Sequence, residues 1–319
     1  MPKRSALPTR PLTFSNSEFG TTGRNIPRGE RREPKSPLRT LALGVLAWLA
    51  VALAMSGCSA GPAPTVVNLG CETTSEADSY RLLRKAADHE ALYTLAGGLK
   101  PMSTGIWRGS FSVEDPDLTD VLRVRAALSP FRNDVWYADV QVFDAVHNDE
   151  RSADAYVVHR AAMAAMINTY AGFWARWGIT SCTHPSKVIA IVDRMPRANR
   201  WRGYGYLFGY PPGAIDFFIE VGLASDDGRE VGPGKDRRFI QIPTFAAETG
   251  RFTYAVPLDH AETPDDGHLR RRSTDILSAY SERVDRALNT RSLIAELRRL
   301  DREFSSTTTT GVRPVADRQ

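Results

Sequence analysis

From Leu41 to Met55 the chain carries fifteen nearly uniformly apolar residues, LALGVLAWLAVALAM, and no charge enters before Gly57. At about 1.5 Å per residue a helix of that length spans only ~23 Å, short of the ~30 Å hydrocarbon slab of a bilayer. The run therefore suits the apolar core of an export signal better than a permanent span. Ahead of it the first forty residues hold nine Lys or Arg against three acids, a long basic n-region. Behind it come Met55-Ser56-Gly57-Cys58-Ser59, small residues that a peptidase cleft admits around a thiol. Residues 1–57 are thus expected to be removed, and the fold must be built from residue 58 onward.

The segment ending at Cys58 resembles the bacterial lipobox, with Met55 where Leu is commonest. The resemblance covers only these few residues. It implies cleavage before Cys58 and acyl chains on that cysteine, palmitate among them, which hold a lipoprotein at a membrane of the cell envelope. An uncleaved anchor is the alternative that the short run disfavours. Ser59 stands where an inner-membrane retention signal often has Asp, which points to the periplasmic side of an outer membrane in a cell with two.

Removing residues 1–57 takes nine basic and three acidic residues from totals of 41 and 37, leaving 32 against 34 and a net charge of −2. The basic balance of the whole chain belongs to the discarded segment, and the mature part gives no electrostatic case for nucleic acid. With Cys58 lipidated, Cys71 and Cys182 remain as an even pair in a compartment where disulfides persist. A bridge would close a loop large enough to stabilise by about 4 to 5 kcal/mol in the chain-entropy model. Two free or buried thiols are the alternative. Neither cysteine pairs with His at metal-ligand spacing, so no metal site is expected, and the sequence leaves a cofactor open.

Residues 58–74 read as a lipidated tether, small and Pro-bearing, and 75–304 as one globular domain; 305–319 form a polar tail. Ser75-Glu76-Ala77-Asp78 has the pattern of a capping box, opening a helix that Gly97-Gly98 can end. Asp115-Pro116 opens a second helix that stops before Ser129-Pro130. Val135 to Val146 has the β-branched and aromatic content of a strand. Ser152 to Gly178 reads as the longest helix, with Tyr156, Met163, Ile167, Tyr170, Trp174 and Trp177 on one face. Helices over Pro185 to Met195 and Pro211 to Val221 flank the aromatic stretch Trp201 to Tyr210. Arg238 to Pro243 and Phe252 to Val256 alternate as a hairpin. A C-terminal helix, or a pair broken near Asn289, ends at Phe304. Helical segments outnumber strands without regular alternation, which predicts a helix-rich α+β domain with a small antiparallel sheet or hairpin.

The polar residues give two sets of site candidates. His89-Glu90 lacks the second His of a zincin, since position 93 is Tyr. His159 falls within an apolar helix, where a polar ring needs a partner. With Asp139, or with Gln141 and Asp144 beside it, His89, Glu90 and His159 could activate water as an acid/base set. The other four histidines, including His184 and His260, are assigned nothing. Gly97 to Gly105 holds glycines, Lys100 and hydroxyls, but in the wrong order for a phosphate loop. Ser103 does not sit in a G-x-S-x-G elbow. Trp201, Tyr204, Tyr206 and Tyr210 would stack on sugar faces if exposed and form a corner of the core if buried. The absence of Ser-hydrolase, zincin, P-loop and dinucleotide signatures favours a binding or scaffolding module for an envelope glycan or protein partner. The alternative is an envelope hydrolase using the His/acid set.

Overall fold

The computed structural model describes residues 75–226 and 237–305, all within one unit of the chain, Cys71–Gln319. The expected signal segment, the expected tether with Cys58 and Cys71, and the expected tail from 306 onward lie outside the described residues. Among the described residues no helix is long and apolar enough to cross a membrane.

Ser75 Oγ accepts the Asp78 amide at 3.1 Å and starts α1 (Glu76–Asp88) as its sequence implies. The helix stops earlier than expected. A turn through His89 to Ala91 leads into α2 (Leu92–Leu95), whose four residues are all buried. One face of a continuing straight helix could not bury four consecutive side chains, so the chain bends. After β1 (Met102–Ser103) and β2 (Arg108–Ser112), α3 spans Thr119–Ala127 and a 3₁₀ turn covers Ser129–Phe131. Asp115-Pro116 precedes α3 without belonging to it.

The first sheet corrects the reading of 152–178 as one helix. β3 (Trp136–His147) and β4 (Glu150–His159) form a hairpin whose two turn residues, Asn148 and Asp149, have φ of 52° and 61°. Positive φ at both positions is the type I′ geometry that matches strand twist. β4 is central: β3 pairs along one edge, while β2 and then β1 share the other, all antiparallel. Every residue from Ala153 to His159 is buried. Such a strand shows no alternation, only an apolar run that periodicity cannot tell from a buried helix. Helix begins just afterwards, as α4 (Arg160–Thr169) and α5 (Ala171–Ala175).

α6 (Pro185–Asp193) and α8 (Pro212–Asp226) fall where expected, but the aromatic stretch between them is itself a helix, α7 (Arg197–Leu207). A Cβ on Gly205 would lie 2.7 Å from Ile215 Cγ1, so this glycine is what lets α8 pack closely on α7. The second sheet is the expected hairpin, β5 (Arg237–Thr244) with β6 (Ala247–Pro257). A Thr263–Asp266 capping box starts α9 (Pro264–Ser281), and α10 (Thr290–Ser305) is the last element among the described residues. The result is a helix-rich α+β fold with ten α-helices and two antiparallel sheets among the described residues.

One core joins these pieces. Trp136, Ala138 and Val140 of β3 and Ala153, Ala155 and Val157 of β4 pack with Leu83 of α1, Leu92 and Leu95 of α2 and Val121 of α3. Phe252 and Val256 of the second hairpin and Ile276 and Tyr280 of α9 belong to the same cluster. α10 adds Leu293, Leu297 and Leu300, each fully buried, along a stripe of helical spacing.

Candidate functional site

His159 is the last residue of β4 and the N-cap of α4. Its Nδ1 accepts the Ala162 amide at 3.1 Å, which leaves the ring proton on Nε2, donated to Asp301 of α10 at 2.9 Å. Asp301 Oδ1 also accepts the Gly97 amide at 3.0 Å and the Ser305 hydroxyl at 3.1 Å. Burial alone would raise the Asp301 carboxyl, but the hydrogen bonds from His159, the Gly97 amide and Ser305 outweigh it and hold the group below the usual carboxylate range. Gly97 has φ of +82°, and a Cβ there would sit 2.5 Å from Phe304 Cβ, so only glycine lets this amide reach α10. Both ring nitrogens of His159 are therefore occupied in holding three segments together. A histidine so engaged has no lone pair free to activate water.

The other members of the expected acid/base set are tied elsewhere. Glu90 Oε2 accepts from Lys100 Nζ at 2.9 Å, and Lys100 is fully buried, its ammonium 4.4 Å from the Phe252 ring centroid and 5.6 Å from that of Phe208. Burial pushes the Lys100 ammonium down, with Glu90 opposing. The Thr94 and Ser103 hydroxyls bond at 2.8 Å beside the pair. The Gly97 to Gly105 stretch is thus a structural turn whose lysine is spent on a carboxylate. Asp139 accepts from Arg125 at 2.6 Å, Arg132 at 3.1 Å and the Tyr137 hydroxyl at 2.9 Å. His89 is the C-cap of α1, its backbone amide donating to Ala86 O. Gln141 donates to the Tyr204 hydroxyl at 2.9 Å, and Asp144 faces outward on the far part of β3. His159, Glu90 and Asp139 thus each bond to partners outside the set.

The aromatic candidates are internal. Trp201, Tyr204 and Tyr206 are each less than a tenth exposed and Tyr210 is half-buried. Tyr206 stacks on Tyr170 at 4.0 Å, Tyr204 on Phe208 at 5.8 Å and Tyr210 on Phe252 at 6.0 Å, while Trp201 meets Phe218 edge-on at 5.4 Å. These rings are already stacked on protein, so they offer no row of free faces to sugars. Exposed rings occur instead on and beside β5, at Phe239 and Phe245, 42% and 40% exposed. The Arg237 guanidinium lies 5.5 Å from the Phe239 ring and that of Arg84 5.9 Å from Phe245.

One open concavity does gather reactive side chains, of which the sequence assigned only Cys182, to a bridge. A pocket of about 190 Å³ lies between the start of α4 and the loop into α6, lined by Arg160, Met163, Cys182, His184 and their neighbours. Arg160 Nε donates to the Asn133 and Trp136 carbonyls at 2.9 and 3.3 Å, and its guanidinium sits 5.3 Å from the Tyr137 ring. The His184 ring meets the same tyrosine edge-on at 4.7 Å, with Nδ1 at 2.8 Å from Ser186 Oγ. Cys182 is exposed and free, which does not support the expected Cys71–Cys182 bridge; Cys71 lies outside the described residues. Among the described residues no three His, Cys, Asp or Glu are placed to hold a metal ion.

Comparison with known proteins finds no family model that matches the chain, and no curated protein or solved structure that matches it. The fold is a helix-rich α+β domain with one four-stranded and one two-stranded antiparallel sheet among the described residues.

Proposed function

We propose that the mature chain is a lipid-tethered binding or scaffolding module of the cell envelope, not the hydrolase that its His/acid residues could have formed. The tether and its acyl chains on Cys58 rest on the signal-like N-terminus, and the partner is a glycan or protein of the same compartment. The observation that carries the non-catalytic reading is the double engagement of His159, with bonds to Asp301 and the Ala162 amide at 2.9 and 3.1 Å. Glu90 and Asp139 are likewise consumed by cations. The exposed rings of Phe239 on β5 and of Phe245 just after it, each beside an arginine, take over the recognition role from the buried tyrosines.

The test is His159→Asn in the full chain, assayed for stability and for hydrolysis of glycan, ester and peptide substrates. Replacing the ring leaves the buried Asp301 short of a donor, and the expected result is a loss of about 3 kcal/mol in urea unfolding. No hydrolytic activity is expected from the parent chain. An activity that the parent shows and that His159→Asn loses while still folded would sink the reading.

A further inference from the structure

We propose that Cys182 is a thiol–disulfide exchange site for small disulfides that carry a carboxylate arm. The thiol is exposed and unpaired, and it opens into the pocket of about 190 Å³ whose wall also carries Arg160 and His184. That volume takes the arm of a small molecule rather than a polypeptide. Arg160 is a fixed cation: two backbone carbonyls hold its Nε, and the Tyr137 ring supports its plane. It therefore places a permanent positive charge in the pocket without needing to reorganise when an anion arrives. The nine-residue α6 starts at the same rim with no side chain capping its amides, so its positive end adds to the field. Met163, Ala164 and Pro185 supply an apolar floor against which a methylene arm can lie.

In the exchange, the Cys182 thiolate attacks one sulfur of the small disulfide. A new bond forms between Cys182 Sγ and that sulfur, the original S–S bond breaks, and the second sulfur leaves with the electron pair and takes a proton from water. The protein thiol ends as a mixed disulfide, and half of the small disulfide is released as thiol. Attraction between Arg160 and the carboxylate makes anionic disulfides react preferentially.

The experiment treats the full-length protein at neutral pH with 3,3′-dithiodipropionate or with cationic cystamine and follows adducts by intact mass, located by peptide mapping. Each rate is divided by that of the same reagent with N-acetylcysteine, which removes intrinsic reactivity. The expected result is an adduct at Cys182 and a normalised preference of about fivefold for the anionic reagent, the size of one partly exposed charge contact. Arg160→Gln should cut the preference sharply, leaving only what the α6 amino end supplies, while the cystamine rate, which reports an accessible thiol in a folded chain, does not fall. Arg160→Lys retains the charge and should retain the preference even if the lost fork lowers stability. Equal normalised rates, an unchanged preference in Arg160→Gln, or a mapped disulfide between Cys71 and Cys182 would overturn the proposal.

Discussion

Asp266 is a buried carboxylate that accepts four hydrogen bonds. It is 2% exposed and accepts from the Tyr254 hydroxyl, from His260 Nε2 at 2.8 Å, and from both the amide and the hydroxyl of Thr263 at 2.9 and 2.7 Å. Burial alone would raise its pKa, but these donors win and hold it at about 2. A carboxyl depressed in the folded state stabilises that state fully above its unfolded pKa and loses the contribution as pH falls through the folded value. The window is therefore the stretch from about pH 4 down to about pH 2, and the contribution above it is about 2 kcal/mol. Asp266→Asn should show that loss at neutral pH and a flatter stability profile across the acid window, both read from urea unfolding at stepped pH; parallel profiles would refute it. Residues of this kind were only partly legible in the sequence. His159 stood out because an imidazole in an apolar stretch must find a partner. Its partner could also have been found, since Asp301 lies four residues after Leu297 and three before Phe304, on the buried stripe of α10. Lys100 carried no such mark, because only the tertiary fold places it beside Glu90 and against Phe252. Cys182 and His184 stand two apart in a loop, a spacing that by itself names no chemistry.

Local chemistry determined which elements could be read in advance. α1, β3, the β5–β6 hairpin and the break near Asn289 announce themselves through a cap, a β-branched run, period-two alternation and a turn. β4 does not, because burial on both faces erases its alternation and leaves composition to suggest helix. α7 fails for the opposite reason: two glycines and several aromatics argue against a helix by propensity, yet packing against α6 and α8 overrides it. The clue to β4 was Asn148-Asp149, two residues tolerant of positive φ between its first residue and the end of β3. That turn also gives an element-scale prediction. Asp149 has φ of 61°, a region where glycine is free of the Cβ penalty, and the second residue of a type I′ turn is where glycine is most favoured. Asp149→Gly should raise stability by about 0.5 kcal/mol, seen as a small increase in the denaturation midpoint with unchanged slope. A decrease would mean that the aspartate side chain holds the hairpin in a way its backbone angles do not reveal.

The described fold depends on α10. α10 contributes Leu293, Leu297, Leu300 and Phe304 to the core, and its Asp301 receives the Gly97 amide and the His159 ring. At about 1.5 to 3 kcal/mol for each buried side chain, that stripe alone matches the ~5 to 15 kcal/mol by which a domain is stable. A chain ended after Asn289 should therefore lack a cooperative unfolding transition and near-ultraviolet circular dichroism. A sharp transition in that variant would show that the remaining elements suffice. Synthesis runs from the amino end, so the acceptor that the Gly97 loop needs, Asp301, is added about two hundred residues after the loop itself. Until α10 has been made, the Gly97 amide and the His159 ring have no carboxylate to meet, so this latch can close only after every other described element exists.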